Sequence, residues 1–435
     1  MKKALSIFTA VMLAAACLFA NGQKEASAAQ GSGETTITFW AFPIFFQNAG
    51  DPAGTYEQKL IQTFEAQNPG IKVKLETIDF KNGPDKIVAS IEGGTAPDVL
   101  FDAPGRIIDY GKKGKLVNLN DLFTDSAIKD FGNPALTAAC SDGKNYYMYP
   151  ISASPFYMGL NKELWEKVGA LKYVNLEGDR TWTTANFIKA MECFKGSGIP
   201  ALSVYCGGQG GDQGTRALVS NLYGAHIADA TCTKYTMDSA EAVKALKLLK
   251  SLVDSHAIDA GMDIAAADEL QLFAHQKIAS TICWGTSNAK NYATKDFTAI
   301  SVPFPSDDGV PELEYLINGF CVFNNNNTAK AAAAKKFVQF LCSDTQNVIQ
   351  TGAFPVRTSM GNLYSNKKLA SDAIGLDMDL LAKFTKYYGT YYNTMNGFAN
   401  MRTEWWNMLQ YIFSGAKTAE TASADCAKAA NAGIK

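Results

Sequence analysis

The chain has 435 residues, 47% of them hydrophobic and 19% charged, and 40 basic residues nearly cancel 42 acidic ones to leave a formal charge of −2. That length is too great for one compact core and points to two lobes. The lack of a basic excess excludes a surface built for nucleic-acid phosphates. Beyond the N-terminal stretch no apolar run reaches the length a bilayer requires.

Met1-Lys2-Lys3 precedes a largely apolar run from Ala4 to Ala16. A basic start followed by so short a run reads as an export signal, because a permanent transmembrane helix needs about 20 apolar residues. Ala14-Ala15-Ala16-Cys17 resembles a bacterial lipoprotein box, in which Cys17 is acylated and becomes the mature N-terminus. The box is loose: Ala14 stands where Leu is usual, and Leu13 sits one place further out. The alternative is a secretory signal cut at Ala26-Ser27-Ala28, with Cys17 discarded. By either route the protein is exported to the periplasm or cell surface, where ATP and nicotinamide cofactors are scarce, and no cofactor is expected. Residues 18–34, rich in Ala, Gly, Ser and Gln, read as a flexible tether.

Structure is expected to start with the alternating strand Thr36–Trp40. Thr55-x-x-Gln58 reads as a capping box opening a helix with Tyr56, Leu60, Ile61 and Phe64 on one face, stopped by Asn68-Pro69-Gly70. Ile71–Glu76 alternates strictly, as a strand does. Pro84 begins a helix with Ile87, Val88 and Ile91 turned inward, and Ala96–Phe101 is a short buried strand. This β-α-β-α-β order implies a mostly parallel sheet flanked by helices.

A second lobe is expected after Tyr149-Pro150, with helices over 161–169 and from Thr181. Gly207–Gly214 is a glycine-rich loop. Asp238-x-x-Glu241 caps a helix carrying Val243, Leu246, Leu249, Leu252 and Val253 on one side. Strands follow at 277–283, 297–303 and 316–323, then a helix over 328–342 and a helical, aromatic tail from Asp377.

Most of the chemistry that could be sought is missing. The glycine stretch has neither a phosphate-loop lysine nor GxGxxG spacing. His226, His256 and His275 lack metal-ligand spacing to one another or to a CxxC pair, so no metal is expected. No GxSxG occurs, and Asp307-Asp308 lies among turn residues rather than forming a glycosidase pair. Eight cysteines remain after Cys17, in irregular spacing. Cys283, Cys321 and Cys342 sit within apolar segments, where a cysteine acts as a small hydrophobe.

What remains is aromatic: six Trp, 18 Tyr and 25 Phe, several beside polar groups at element ends. Sugar rings offer an apolar face and a rim of hydroxyls, which suits aromatic platforms flanked by carboxylates, amides and Arg. The candidates are Trp40 and Phe42 after the first strand, Asp102 and Arg106 after the third, Tyr157 after the lobe crossing and Trp284 at a strand end. Arg402, Trp405 and Trp406 share one helical turn, and the two indoles point about 100° apart, so one of them faces the cleft. Core packing competes with ligand contact at every one of these positions.

Taken in order, Thr38-Phe39-Trp40, Phe64–Val73, Gly94–Val99, Tyr149-Pro150-Ile151, Tyr157 with Asn161–Leu164, Thr181-Trp182-Thr183, Asn318-Gly319 and Phe354–Arg357 carry a resemblance. The chain is similar over roughly 35–433 to the extracellular solute-binding proteins of bacterial ABC importers, in the sugar-binding family that includes maltose-binding protein. The resemblance implies an α/β periplasmic-binding-protein fold of two lobes, each a mostly parallel sheet flanked by helices, with the ligand cleft between them. It places 35–150 and 314–370 in the N-terminal lobe and 151–313 and 371–435 in the C-terminal lobe. It implies a ligand site at Trp40, Phe42, Asp102, Arg106, Tyr157, Gln209, Trp284, Arg402 and Trp405. It also implies a monomeric binding component, not an enzyme, that hands a mono- or oligosaccharide to permease subunits and meets the membrane through its N-terminal lipid. An exported glycan hydrolase and a ligand sensor uncoupled from transport are the alternatives. Two departures stand out: Trp284-Gly285-Thr286 reorders the family's usual Gly-then-aromatic spacing, and Asp102 occupies the place of an aromatic platform in maltose-binding protein.

Overall fold

The computed structural model describes residues 34–48, 50–79, 82–208, 210–292, 294–364 and 377–434. The chain opens with β1 (Thr35–Ala41), α1 (Thr55–Gln67), β2 (Ile71–Thr77), α2 (Gly83–Glu92), β3 (Val99–Asp102) and α3 (Pro104–Lys112). Two short helices, α4 (Asp125–Asp130) and α5 (Pro134–Ala138), lead to β4 (Tyr149–Pro155). The second lobe is built from β5 (Tyr157–Asn161), α6 (Lys162–Lys167), α7 (Thr184–Glu192), α8 (Gln213–Tyr223), α9 (Ala240–Asp254), α10 (Ala266–Ala274), β6 (Ser280–Trp284), α11 (Thr286–Tyr292) and β7 (Ala299–Val302). The chain then returns for β8 (Tyr315–Val322), α12 (Thr328–Ser343), α13 (Thr345–Gln350) and β9 (Phe354–Pro355). It finishes with α14 (Met378–Phe384), α15 (Phe398–Phe413) and α16 (Ala419–Ala432).

The first sheet has the order β2-β1-β3-β8-β4-β9. Its opening β-α-β-α-β run is parallel, as the alternating pattern implies, with Ile37 opposite Val73 and Phe39 opposite Val99. The returning strand β8 pairs antiparallel with both β3 and β4, and β9 pairs antiparallel with β4. The second sheet, β6-β5-β7, is antiparallel at both pairings, so the expectation of a mostly parallel sheet holds only for the first three strands. The reason is connectivity: local βαβ units impose parallel pairing, while strands that return from the other lobe are free to run either way.

Two cores form. Phe39 meets Phe337 and Phe320 at 5.3 and 6.0 Å between ring centroids, and Phe64 meets Phe337 at 4.9 Å, fixing α1 and α12 to the first sheet. In the second, Trp165 sits edge-on to Trp182 and Phe194, its indole donating to the Ala279 carbonyl and the Ser280 hydroxyl. Burying each of these large apolar side chains contributes about 1.5–3 kcal/mol. The eight cysteines from Cys140 to Cys426 are free thiols, six of them buried, and they fill space as small hydrophobes.

Three local expectations shift. Gly54, at φ 89°, is the N-cap of α1, so Thr55 is already helical and its hydroxyl turns back to the Pro52 carbonyl instead of closing a capping box. On α9 the cap is Ser239, whose Oγ accepts from the Ala242 N–H, one residue later than the Asp238 pattern. On α2, Ile87 is buried but Val88 is 51% exposed, and Ser90 is inward with its hydroxyl donating to the Ile87 carbonyl.

The lobes are joined where the cores change. Ala153 belongs to the first core and Tyr157 to the second, so the first crossing falls at Phe156, after β4 has run five residues past Pro150. The second falls at Glu314, between Leu313 in the second core and Tyr315 in the first. The Phe156 N–H donates to the Glu314 carbonyl at 2.8 Å, tying the crossings together. The expected return near 370 lies outside the described residues.

Candidate ligand cleft

On the first-lobe wall, β3 ends at Asp102, which is 2% exposed, and Pro104 opens α3. Proline suits a first helical position because its missing N–H would have no helical partner there. One turn on, Arg106 reaches back to Asp102, its Nε donating to Oδ2 at 2.7 Å while Nη2 donates to Oδ1; the Ala103 N–H also donates to Oδ1. Burial opposes the charge on this guanidinium, and the Asp102 carboxylate outweighs it, holding the Arg106 pKa above its ordinary value. The Arg106 side chain stays 38% exposed and lies 5.7 Å over the buried ring of Phe42. The structure therefore brings Phe42, Asp102 and Arg106 into one cluster.

The second-lobe wall starts at the glycine-rich loop. Gly211 has φ +74°, and at Gly214 a Cβ would stand 2.2 Å from the Ile282 carbonyl, so α8 begins hard against β6. That close passage explains the glycines without any phosphate. Asp212, 2% exposed, precedes α8 and takes a bidentate contact from Arg402 on α15, at 2.8 Å to Nε and 3.0 Å to Nη2. The Arg402 side chain is 20% exposed.

Phe398 joins the two walls. Its ring lies 5.7 Å from the Arg402 guanidinium, and a Cβ on Gly105 of α3 would touch it at 3.4 Å. Lys112 of α3 donates to the Thr394 carbonyl at 3.0 Å and to Asn396 at 2.7 Å. Elsewhere along the junction Lys290 of α11 stands 3.6 Å over the ring of Phe46, and the Ser154 and Thr286 hydroxyls lie 3.5 Å apart.

Residues 59–374 match the profile of the family described as bacterial extracellular solute-binding protein. This chain belongs to that family. A Brucella abortus protein designated a binding protein is 28% identical over 233 residues, 53% of this chain and 54% of its own, so the chain spans about half the length of such curated relatives. The diacetylchitobiose binding protein DasA of Streptomyces coelicolor is 25% identical over 336 residues, 72% of this chain and 69% of that one. An ABC substrate-binding protein of Listeria monocytogenes, solved with cycloalternan, superposes with a TM-score of 0.70 at 20% identity, covering 92% of this chain and 98% of that one. That likeness establishes the two-lobed fold.

In this solute-binding protein the other sequence candidates sit differently. Trp40 is 9% exposed, with Lys86 of α2 over its ring at 4.7 Å. Tyr157 and Trp284 face each other across β5 and β6 in the second core, edge-on to Phe384 and Phe273 respectively, and neither is more than 1% exposed. Trp405 is 1% exposed and its indole donates to Thr215 at 2.9 Å, so of the paired indoles it is the core residue, while Trp406 is half-buried. These four aromatics pack the lobes, and Trp405 backs the Asp212–Arg402 pair through Thr215, whose hydroxyl donates to the Asp212 carbonyl. Gln209 and Cys17 lie outside the described residues. Sequence reasoning gave Asp212 and Phe398 no role. The spacing Asp212-x-x-x-Arg216 at a helix start, repeating Asp102-x-x-x-Arg106, was the available signal for the first; Phe398 had none.

A cavity of about 420 Å³ lies at the other end of α8, lined by Tyr223, His226, Ser306, Asp307, Asp308 and Glu312 among others. It is separated from Asp212 by the length of the helix, about 16 Å. Among the described residues no cluster of His, Cys, Asp or Glu is arranged to hold a metal ion.

Proposed function

We propose that this solute-binding protein is the substrate-binding component of an ABC importer, capturing a carbohydrate outside the cytoplasm and delivering it to a membrane permease. The observation that carries the reading is the Asp102–Arg106 fork, charge-balanced, with its arginine partly exposed and floored by Phe42. The guanidinium, fixed by the buried carboxylate, offers donors to sugar hydroxyls, with an aromatic ring beneath. The diacetylchitobiose-binding relative supports the same ligand class. Ligand contacts from both lobes favour closure through their differential affinity for the closed state, and no bond is made or broken. We place the protein at the cell envelope as a monomer held by an acylated Cys17, with residues 18–34 as its tether.

The test is thermal unfolding of the body from Gly33 onward against maltose, diacetylchitobiose, ribitol, free amino acids and short peptides. A ligand at about 1,000 times its Kd adds roughly 4 kcal/mol to the stability. A midpoint shift with one carbohydrate class, lost in Asp102→Ala protein that still unfolds cooperatively, is the expected result. A shift with peptides alone, or turnover of a glycan, would overturn the assignment.

A further inference from the structure

Behind the cleft lies a chain of charges that the capture of ligand does not use directly. Arg216, on α8, is 0% exposed. Its Nη1 is 2.7 Å from Asp212 Oδ2, one helical turn back. Its Nε and Nη2 grip Glu314 at 3.0 and 3.1 Å, and the Tyr392 hydroxyl lies 2.6 Å from Nε and also donates to Glu314. The rings of Tyr392 and Phe398 enclose the guanidinium at 5.6 and 5.7 Å. With Arg402 on the far side of Asp212, two arginines and two carboxylates alternate from the cleft to Glu314. The set is formally neutral, with opposite charges side by side, the condition under which buried charge is tolerated.

Glu314 is the residue at which the chain passes from the second core to the first, and its carbonyl also holds the other crossing through the Phe156 N–H. The next residue, Tyr315, stacks on Tyr388 at 4.1 Å and 10° within the first lobe's packing. Leu313 is fixed from the other side, its N–H donating to the Tyr387 carbonyl while its own carbonyl accepts from the Gly389 N–H. An anchored residue between two differently packed neighbours defines where a rotation can occur.

We propose that Arg216 pins both lobe crossings to the second lobe, setting the pivot of opening between Glu314 and Tyr315 and between Pro155 and Phe156, and that Asp212 links this pivot to Arg402 at the cleft. Arg216 and Asp212 are thus positioning residues: what is done to Arg402 is felt at the hinge through one shared carboxylate. This goes beyond the carbohydrate reading and needs no ligand to test, so its failure would leave that reading untouched.

The experiment is hydrogen exchange with mass spectrometry on the whole exported chain, comparing wild type with Glu314→Gln and Asp212→Asn. Weakening a charged hydrogen bond at the pivot speeds exchange in peptides spanning 153–157 and 314–318 by about tenfold or more, while α9 in the second core stays at the wild-type rate. Asp212→Asn gives the same pattern at smaller amplitude. Unchanged crossings in Glu314→Gln, or faster exchange throughout α9 as well, overturn the pivot. Silence at the crossings in Asp212→Asn overturns the link to the cleft. Should Glu314→Gln fail to fold, Tyr392→Phe removes the hydroxyl that bonds both Arg216 and Glu314 without altering any charge and is read the same way.

Discussion

Each lobe sets an aspartate four residues ahead of an arginine at the start of the helix nearest the cleft, and the two pairs have become different objects. Asp102 ends β3, an interior strand of the first sheet, and Arg106 lies one turn into α3, 38% exposed over Phe42. Asp212 and Arg216 are sealed, the arginine at 0% exposure between two aromatic rings, with Glu314 as a second carboxylate and Arg402 as a second cation. The same local spacing gives a partly exposed fork in one lobe and a fully buried one in the other. The lesson is that water access, not the motif, fixes the role: an ion pair in contact with solvent exchanges partners cheaply, whereas a buried one needs all its partners present.

The largest test of that contrast is Arg216→Met. It leaves Asp212 and Glu314 buried with less compensation and is expected to cost about 3–5 kcal/mol of stability, read from the urea midpoint. A loss no larger than that of a surface mutant would show that the second pair is not an anchor.

Glu269 sharpens the comparison from a different side, as a buried carboxyl with no arginine. It is 0% exposed on α10 and accepts from the Thr281 hydroxyl at 2.6 Å and the Ile282 N–H at 2.9 Å, and burial lifts its pKa from 4.5 to about 8. Because the folded pKa lies above the unfolded one, its contribution is full below about 4.3 and is lost as pH rises towards 8. Wild type is therefore expected to lose about 2 kcal/mol or more between pH 5 and pH 9 relative to Glu269→Gln, whose amide can donate to Thr281 and accept from Ile282. Parallel pH profiles for the two proteins would remove Glu269 from the account.

The smallest effect is expected from Arg106→Met. The buried Asp102 keeps the Ala103 N–H, so the folded state should lose less than in Arg216→Met, where two buried carboxylates lose a partner, while carbohydrate-dependent thermal shifts disappear. Retained shifts would place the ligand elsewhere, and a loss equal to that of Arg216→Met would erase the distinction between the lobes.

Much of this was legible from local pattern. Alternation gave β1 and β2, the Ala96 to Phe101 run gave β3, and a polar pair just beyond a strand end marked Asp102 and Arg106, because their contact spans only one helical turn. Trp405 and Trp284 carried the same aromatic signal as any platform residue, and only packing shows that they fill a core. Arg402 was found by its company on a helix, but its partner Asp212 is 190 residues away in the chain. Glu314 lies 98 residues from Arg216, and no periodicity reports a contact of that range.

By itself the sequence determined the opening parallel strands, helices such as α1, α9 and α12, the two lobes and one of the two Arg–Asp pairs, all of which depend on neighbours within a few residues or on bulk composition. Tertiary structure alone decided the antiparallel returns, the crossings at Phe156 and Glu314, and which arginine is sealed from water. Those outcomes depend on segments that meet only after folding, when burial sets the cost of each charge.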